Sequence, residues 1–184
     1  MTKSMTGSFY LTETVTIPAA TAAGGRVSAS LDLSAYVNVP TGQAIAIESV
    51  DFVHQLGSDF GSDVEAFLQS NGAITTQLTD LNPGTRFVRA DNHSLVASGA
   101  LNIDITNNIA SHHADLYPDN FGPANLSEAF LVVNDALYLT TGPDGGATAL
   151  TSNLFVTARV RCRVVKLSTK DWMAIAIQST ASTE

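Results

Sequence analysis

The chain has 184 residues and a formal net charge of −8, and only 14% of its residues are charged. This length fits one domain with a substantial hydrophobic core, and the single cysteine, Cys162, excludes an intrachain disulfide. The charged fraction lies well below the ~25% of typical globular domains. A surface with so little charge is typical of a protein that covers part of itself with partners.

The first part of the chain has the period-two alternation of β-strands. The alternating segments are "SFYLTETVTIP", "RVSASLDL", "GQAIAIESVDFVHQ", "GAITTQLTD" and "GALNIDI". In the third of these, Ile45 and Ile47 have one parity and Val50 and Phe52 have the other. That change of parity predicts either a β-bulge near Ser49 or a strand covered on both faces.

The second part returns to strands after a long interruption. Residues 106–128 have no period and contain several loop-forming residues, so we predict a long loop there. After the loop, "AFLVVNDALYLTTG" alternates again, "PDGG" predicts a turn, and "NLFVTARVRCRVVKL" is the longest strand pattern of the chain.

Helix patterns are few. The segment "GSDVEAFLQS" predicts a short helix with Ser62 as its cap, or equally a strand. The clearest helix start lies near the C-terminus, where Ser168 and Asp171 match a capping box. Leu167 and Trp172 occupy the positions of a hydrophobic staple around it, so we expect about two turns of helix before the polar tail.

Seven to nine short strands without intervening long helices predict an all-β, antiparallel fold. We expect a single eight-stranded jelly-roll β-sandwich or barrel over residues 1–184, with a short C-terminal helix and with residues 1–8 and 179–184 as extended or flexible termini. The start of the chain has no apolar run typical of a signal peptide, and no stretch approaches the ~18 apolar residues of a membrane span. We therefore expect synthesis in the cytoplasm of a host.

The residues that could carry metal or nucleophile chemistry do not form a known motif. The histidines are His54, His93, His112 and His113. No H-x-H or H-x-x-x-H spacing aims two of them at one ion, and adjacent histidines on a strand point to opposite faces. Cys162 has the parity of the apolar residues around it, which is typical of a small core side chain.

Acidic and glycine-rich segments give no stronger signal. Asp59, Asp63 and Glu65 supply oxygen ligands without the spacing of an EF-hand loop, so a solvated acidic loop is expected. The segment "AAGGR" lacks the lysine and the helix of a phosphate-binding loop. We expect no enzyme activity, no cofactor, no metal and no small-molecule substrate.

The most unusual segment is "LFVTARVRCRVVKLS", residues 154–168, which carries Arg159, Arg161 and Arg163 on one face. We call these three residues the arginine row. Residues 1–158 have a net charge of −11 and residues 159–184 a net charge of +3, so the C-terminal part is basic in an acidic chain. The other face of the same segment is apolar and predicts a core strand.

Three interpretations of the arginine row remain open. The first is a solvent-facing strand whose arginines pair with carboxylates such as Asp104 or Asp135. The second is a subunit interface, where guanidinium groups meet the carboxylates of a neighbour. The third is contact with nucleic acid or anionic lipid, which the acidic composition and the scarcity of aromatic residues among the arginines disfavour.

The segments "GQAIAIESVDF", "EAFLVVNDALYL" and "LFVTARVRCRVVKLSTKDWMAIAIQ" resemble the strand blocks of single jelly-roll major capsid proteins. The family is that of tailless icosahedral viruses with an internal membrane, which infect haloarchaea and Thermus. The resemblance implies a subunit that assembles with copies of itself or with a sister capsid protein over a membrane vesicle. The chain has fewer acidic residues than proteins of strongly saline hosts, so the resemblance does not imply such a host.

We therefore expect a structural capsid protein that is located in the virion. Its expected partners are, first, copies of itself, then a second capsid protein, and last the lipid of an internal membrane. We expect no nucleic-acid binding. The residues expected at the subunit interface are Arg159, Arg161, Arg163, Lys166, Trp172 and Ile175. The alternatives are a binding module, such as a carbohydrate-binding sandwich or a phage fibre or baseplate component, and a cupin-type metalloenzyme. The first needs a cleft with exposed aromatic residues, and the second needs converging histidines.

Overall fold

The computed structural model describes residues 2–60, 63–116 and 129–180. Within them the elements are β1 (Lys3–Ser4), β2 (Phe9–Ile17), β3 (Val27–Asp32), β4 (Gln43–Leu56), a 3-10 helix (Val64–Ala66), β5 (Gly72–Thr79), β6 (Leu95–Asp104), β7 (Ile109–Leu116), β8 (Phe130–Val132), β9 (Ala136–Asp144), β10 (Leu154–Lys166) and α1 (Thr169–Thr180).

The strands form two antiparallel sheets. In the first sheet β1 and β2 pair along one side of β10, β4 pairs along its other side, and β8 follows β4. The second sheet has the order β3-β9-β5-β6-β7. Without β1 and β7, eight strands remain, which can be numbered one to eight in chain order. The first sheet then has the strand order 1-8-3-6, and the second sheet has the order 2-7-4-5. This is the strand order of a jelly roll, which confirms the predicted fold class.

The core lies between the two sheets and follows the alternation of the sequence. In β10 the inward side chains are all buried: Leu154, Val156, Ala158, Val160, Cys162 and Val164. Burial, with a smaller contribution from the nearby charge of Glu48, raises the pKa of the Cys162 thiol to about 12. The cysteine is therefore an inert core residue, as its parity predicts.

A β-bulge in β4 explains the change of parity. Arg161 of β10 is opposite Ser49, whereas the next residue, Cys162, is opposite Ile47, so Glu48 is an extra residue in β4. The bulge lets Ile47 and Val50 both contribute to the core. The prediction of a bulge near Ser49 is confirmed.

The predicted loop over residues 106–128 is wrong in its first part, because β7 (Ile109–Leu116) occupies it and pairs with β6. The turn between them uses Asn108 with a positive φ of 56°, a conformation that asparagine tolerates well. β7 lies at an edge of its sheet, and its sequence, IASHHADL, does not alternate between apolar and polar residues, so periodicity does not predict it. Residues 117–128 lie outside the described part of the chain.

Two other segments differ from the prediction in detail. The segment predicted as one strand, "AFLVVNDALYLTTG", divides into β8 and β9, which belong to different sheets. The segment around Val64 forms the predicted short helix, as a single 3-10 turn. The N-cap of this turn is Asp63, so the prediction of Ser62 as its cap is wrong.

α1 begins where the capping box predicts. The Asp171 backbone N–H donates to the Ser168 hydroxyl at 3.2 Å, and that hydroxyl donates to the Asp171 carboxylate at 2.7 Å. Leu167 and Trp172 lie in one apolar cluster with Ala44 and Ala46 of β4. The helix therefore covers the outer face of the first sheet near the start of β4. No helix in the described part of the chain is long and apolar enough to cross a membrane.

Both expected termini are partly ordered. Residues 3–6 run along the end of β10, where Lys3 is opposite Lys166 and the Met5 N–H donates to the Val164 carbonyl at 2.9 Å. At the other terminus, residues 179 and 180 form the end of α1. Residues 181–184 lie outside the described part.

Candidate functional site

Two members of the arginine row share one buried carboxylate. The Glu48 side chain is 6% exposed, and its Oε2 lies 3.1 Å from Nε of Arg161. Its Oε1 pairs with the guanidinium of Arg163 through both Nε and Nη2. The Ser8 hydroxyl donates to Oε2 of Glu48 at 2.8 Å and accepts from Nη2 of Arg163 at 3.2 Å. The bulge in β4 supplies the extra residue, Glu48, that these arginines share.

This cluster fixes the direction of two arginines while leaving positive charge at the surface. The side chains of Arg161 and Arg163 remain 46% and 30% exposed although Glu48 is buried. Two guanidinium groups meet one carboxylate, so the cluster carries a net positive charge. A guanidinium has five N–H donors in a fixed fork, which allows it to bind one carboxylate inside the subunit and another group outside it.

Arg159 continues the row along β10, and its side chain contacts Tyr10 of the neighbouring strand β2. Its guanidinium lies 5.1 Å from the centre of the Tyr10 ring, a cation–π contact, and its partner across the ladder on β4 is Asp51. Tyr10 is itself 52% exposed. The outer face of the first sheet therefore presents charged and aromatic groups at fixed positions.

The carboxylates suggested from the sequence as partners of the arginine row are not the ones that bind it. Asp104 belongs to β6 in the second sheet, where it accepts a hydrogen bond from Asn107. Asp135 follows β8, and its backbone carbonyl accepts from the Leu33 N–H. The change of parity near Ser49 predicts an irregular or doubly covered strand, but it does not predict that Glu48 faces the arginine row.

The other expected interface residues divide into two groups. Lys166 is exposed at the end of β10. Trp172 and Ile175 are half-buried, because they pack on the chain's own first sheet. The side chains that α1 turns outward are instead Met173, which is 55% exposed, and Ile177, which is 64% exposed. A helix with apolar residues on both its inner and outer sides is typical of one covered by further protein.

A buried carboxylate holds the last turn of α1. The Ser179 hydroxyl donates to Oδ2 of Asp80 at 3.1 Å, and the Asn134 amide donates both to that hydroxyl and to the Asp80 carbonyl. Asp80 is 2% exposed, and burial raises its pKa to about 6. Its Oδ1 has no hydrogen-bond partner among the described residues. A cavity of about 480 Å³ lies beside it, bounded on the helix side by Ile175 and Gln178.

The structure brings together two histidines that spacing alone could not connect. His54 of β4 and His112 of β7 belong to opposite sheets, and their ring centres are 5.7 Å apart. Burial, with a smaller contribution from the neighbouring His112, lowers the pKa of His54 to about 4. Among the residues that the structure describes, no three histidine, cysteine, aspartate or glutamate side chains converge as a metal site.

No protein-family model matches the sequence, and no curated protein matches it. Two similar solved structures are of the VP1 protein of Trichodysplasia spinulosa-associated polyomavirus, in complex with sialylated precision glycooligomers and with GM1 oligosaccharide. The first is 9% identical with a TM-score of 0.39, and the second is 10% identical with a TM-score of 0.36. Each comparison covers 90% of this chain and 98% of the other.

Proposed function

We propose that this protein is a viral capsid subunit, a jelly-roll domain that assembles with copies of itself into a closed shell. The observation that carries the proposal is the outer face of the first sheet. That face combines an arginine row fixed from within by Glu48 with a helix that is apolar on its outer side as well as its inner side.

The charge distribution supports self-association in which a basic surface of one copy contacts an acidic surface of another. Six of the nine Lys and Arg residues belong to β1, β10 and α1: Lys3, Arg159, Arg161, Arg163, Lys166 and Lys170. The rest of the chain is strongly acidic. A basic surface on one copy can therefore meet an acidic surface on the next, and such heterologous contacts close into rings or shells when the rotation permits.

The finer parts of the proposal follow from the resemblance given above. We propose the virion as the location, a sister capsid protein as a second partner, and the lipid of an internal membrane as a further contact of the basic face. The net charge of −8 would repel a nucleic acid, which makes the genome the weakest candidate for that face.

The two alternative functions gain no support from particular residues. A carbohydrate-binding module needs exposed aromatic rings gathered in one cleft. The exposed rings of the described residues are Tyr10 on β2 and Phe60 after the end of β4, and Trp172, the only tryptophan of the chain, packs against the first sheet. A cupin needs several histidines converging on one metal, whereas the described residues bring together only His54 and His112.

Sedimentation velocity of the purified chain over a wide concentration range tests the proposal. We expect self-association that grows with concentration and weakens as salt rises, because ions screen contacts between exposed charges. An inert monomeric protein of similar mass in the same buffers controls for non-ideality. A chain that remains monomeric at every concentration and ionic strength would contradict the proposal.

A further inference from the structure

A second surface of the molecule has an exposed aromatic side chain within an acidic loop. Phe60 is 79% exposed, and the carboxylates near it in sequence are Asp59, Asp63 and Glu65, all on the surface. We call these four residues the acidic knob. Phe60 exposes more of its side chain than any other large apolar residue described, so water is a poor environment for it.

The knob follows a defined turn. Leu56 and Asp59 exchange two backbone hydrogen bonds, at 3.3 and 3.1 Å, around Gly57 and Ser58. Gly57 has a φ of +63°, which glycine adopts without strain. The side chain of Phe60 therefore starts from an anchored position at the end of β4.

The outer side of α1 is complementary to the acidic knob in charge and is likewise apolar in part. Lys170, Met173, Ala174 and Ile177 occupy positions i, i+3, i+4 and i+7, so they share one face of the helix, and all are exposed. We call them the helix stripe. It presents a cation beside apolar side chains, whereas the acidic knob presents carboxylates beside an aromatic ring.

The two surfaces cannot meet within one chain. β4 runs from Gln43, beside the start of α1, to Leu56, beside the knob. Its 14 residues span roughly 45 Å at the usual rise of a strand. Complementary surfaces at opposite ends of one subunit are the geometry of a head-to-tail contact between two copies.

We propose that the acidic knob of one copy docks on the helix stripe of the next, with Phe60 against Met173 and Ile177 and with Lys170 facing the carboxylates of the knob. This inference rests on the proposed self-assembly and names the surfaces that carry it. The partner is a second copy because the charges and the apolar groups of the two surfaces match within this chain.

Charge exchange tests the contact, with sedimentation velocity as the readout. Lys170→Glu and Asp63→Lys are each expected to weaken self-association about tenfold or more, and the double variant is expected to return to within about threefold of the wild type. Asp91→Lys is the matched control, because it makes the same charge change at an exposed carboxylate away from the knob. Phe60→Ser should weaken association about tenfold without any change in charge.

The outcomes separate the docking contact from assembly itself. Single reversals that behave like Asp91→Lys, or a double variant that stays as weak as the singles, would overturn the docking contact while leaving self-assembly intact. A wild-type chain that never associates would overturn the proposed function as well. The altered side chains are exposed, so thermal unfolding should show each variant to be folded.

Discussion

Replacing Glu48 with glutamine is expected to lower the free energy of unfolding by about 2 to 3 kcal/mol. The substitution keeps the shape of the side chain but removes the charge that Arg161 and Arg163 share. Both arginines are partly exposed, so water compensates for some of the loss. Thermal unfolding should show a melting temperature lower by roughly 5 to 10 °C for a chain of this size.

Glu65→Gln is the matched control, since Glu65 lies exposed in the 3-10 helix. It should change stability by less than about 0.5 kcal/mol, as surface substitutions usually do. If Glu48→Gln proved as mild as the control, Glu48 would not be the anchor of the arginine row. That result would also contradict the interpretation of the arginine row as a surface whose side chains are held in fixed directions.

The second large effect concerns the pH dependence of folding stability, in which two contributions cancel in the wild type. His54 has a folded pKa of about 4 against an ordinary value of 6.5, so its contribution to stability is full above pH 6.5 and is lost as the pH falls toward 4. Asp80 has a folded pKa of about 6 against 3.8, so its contribution is full below pH 3.8 and is lost as the pH rises through 6. Each amounts to about 3 kcal/mol, and they oppose each other over the same range.

Asp80→Asn removes one of the two opposing contributions. Relative to the wild type, this variant should lose about 3 kcal/mol of stability between pH 7 and pH 4, because the protonation of His54 is no longer offset. His54→Phe should show the opposite difference and gain relative stability on acidification. Urea unfolding of the three proteins at both pH values measures this. Parallel pH profiles for all three would contradict the assignment of these two groups.

The sequence predicted what depends on local periodicity. The alternation in β10 identified its buried face and the direction of the arginine row, and the parity change between Ile47 and Val50 located the bulge. The pair Ser168 and Asp171 located the start of α1. These features depend on residues a few positions apart, and backbone geometry then fixes which way their side chains point.

What the sequence did not predict depends on contacts between distant parts of the chain. Glu48 and Arg163 are 115 residues apart, and no periodicity connects them. His54 and His112 meet only because the jelly roll places β4 and β7 in facing sheets. The staple spacing pairs Trp172 with Leu167, but only the tertiary structure shows that both pack on Ala44 and Ala46 of β4.

Negative-stain electron microscopy of the purified chain, at low salt and at the highest concentration it tolerates, tests the central claim most directly. A capsid subunit should form uniform closed shells, or rings of a fixed number of copies that are precursors of a shell. Grids that show only particles of the size expected for a single 19.3 kDa chain, under every condition, would contradict it.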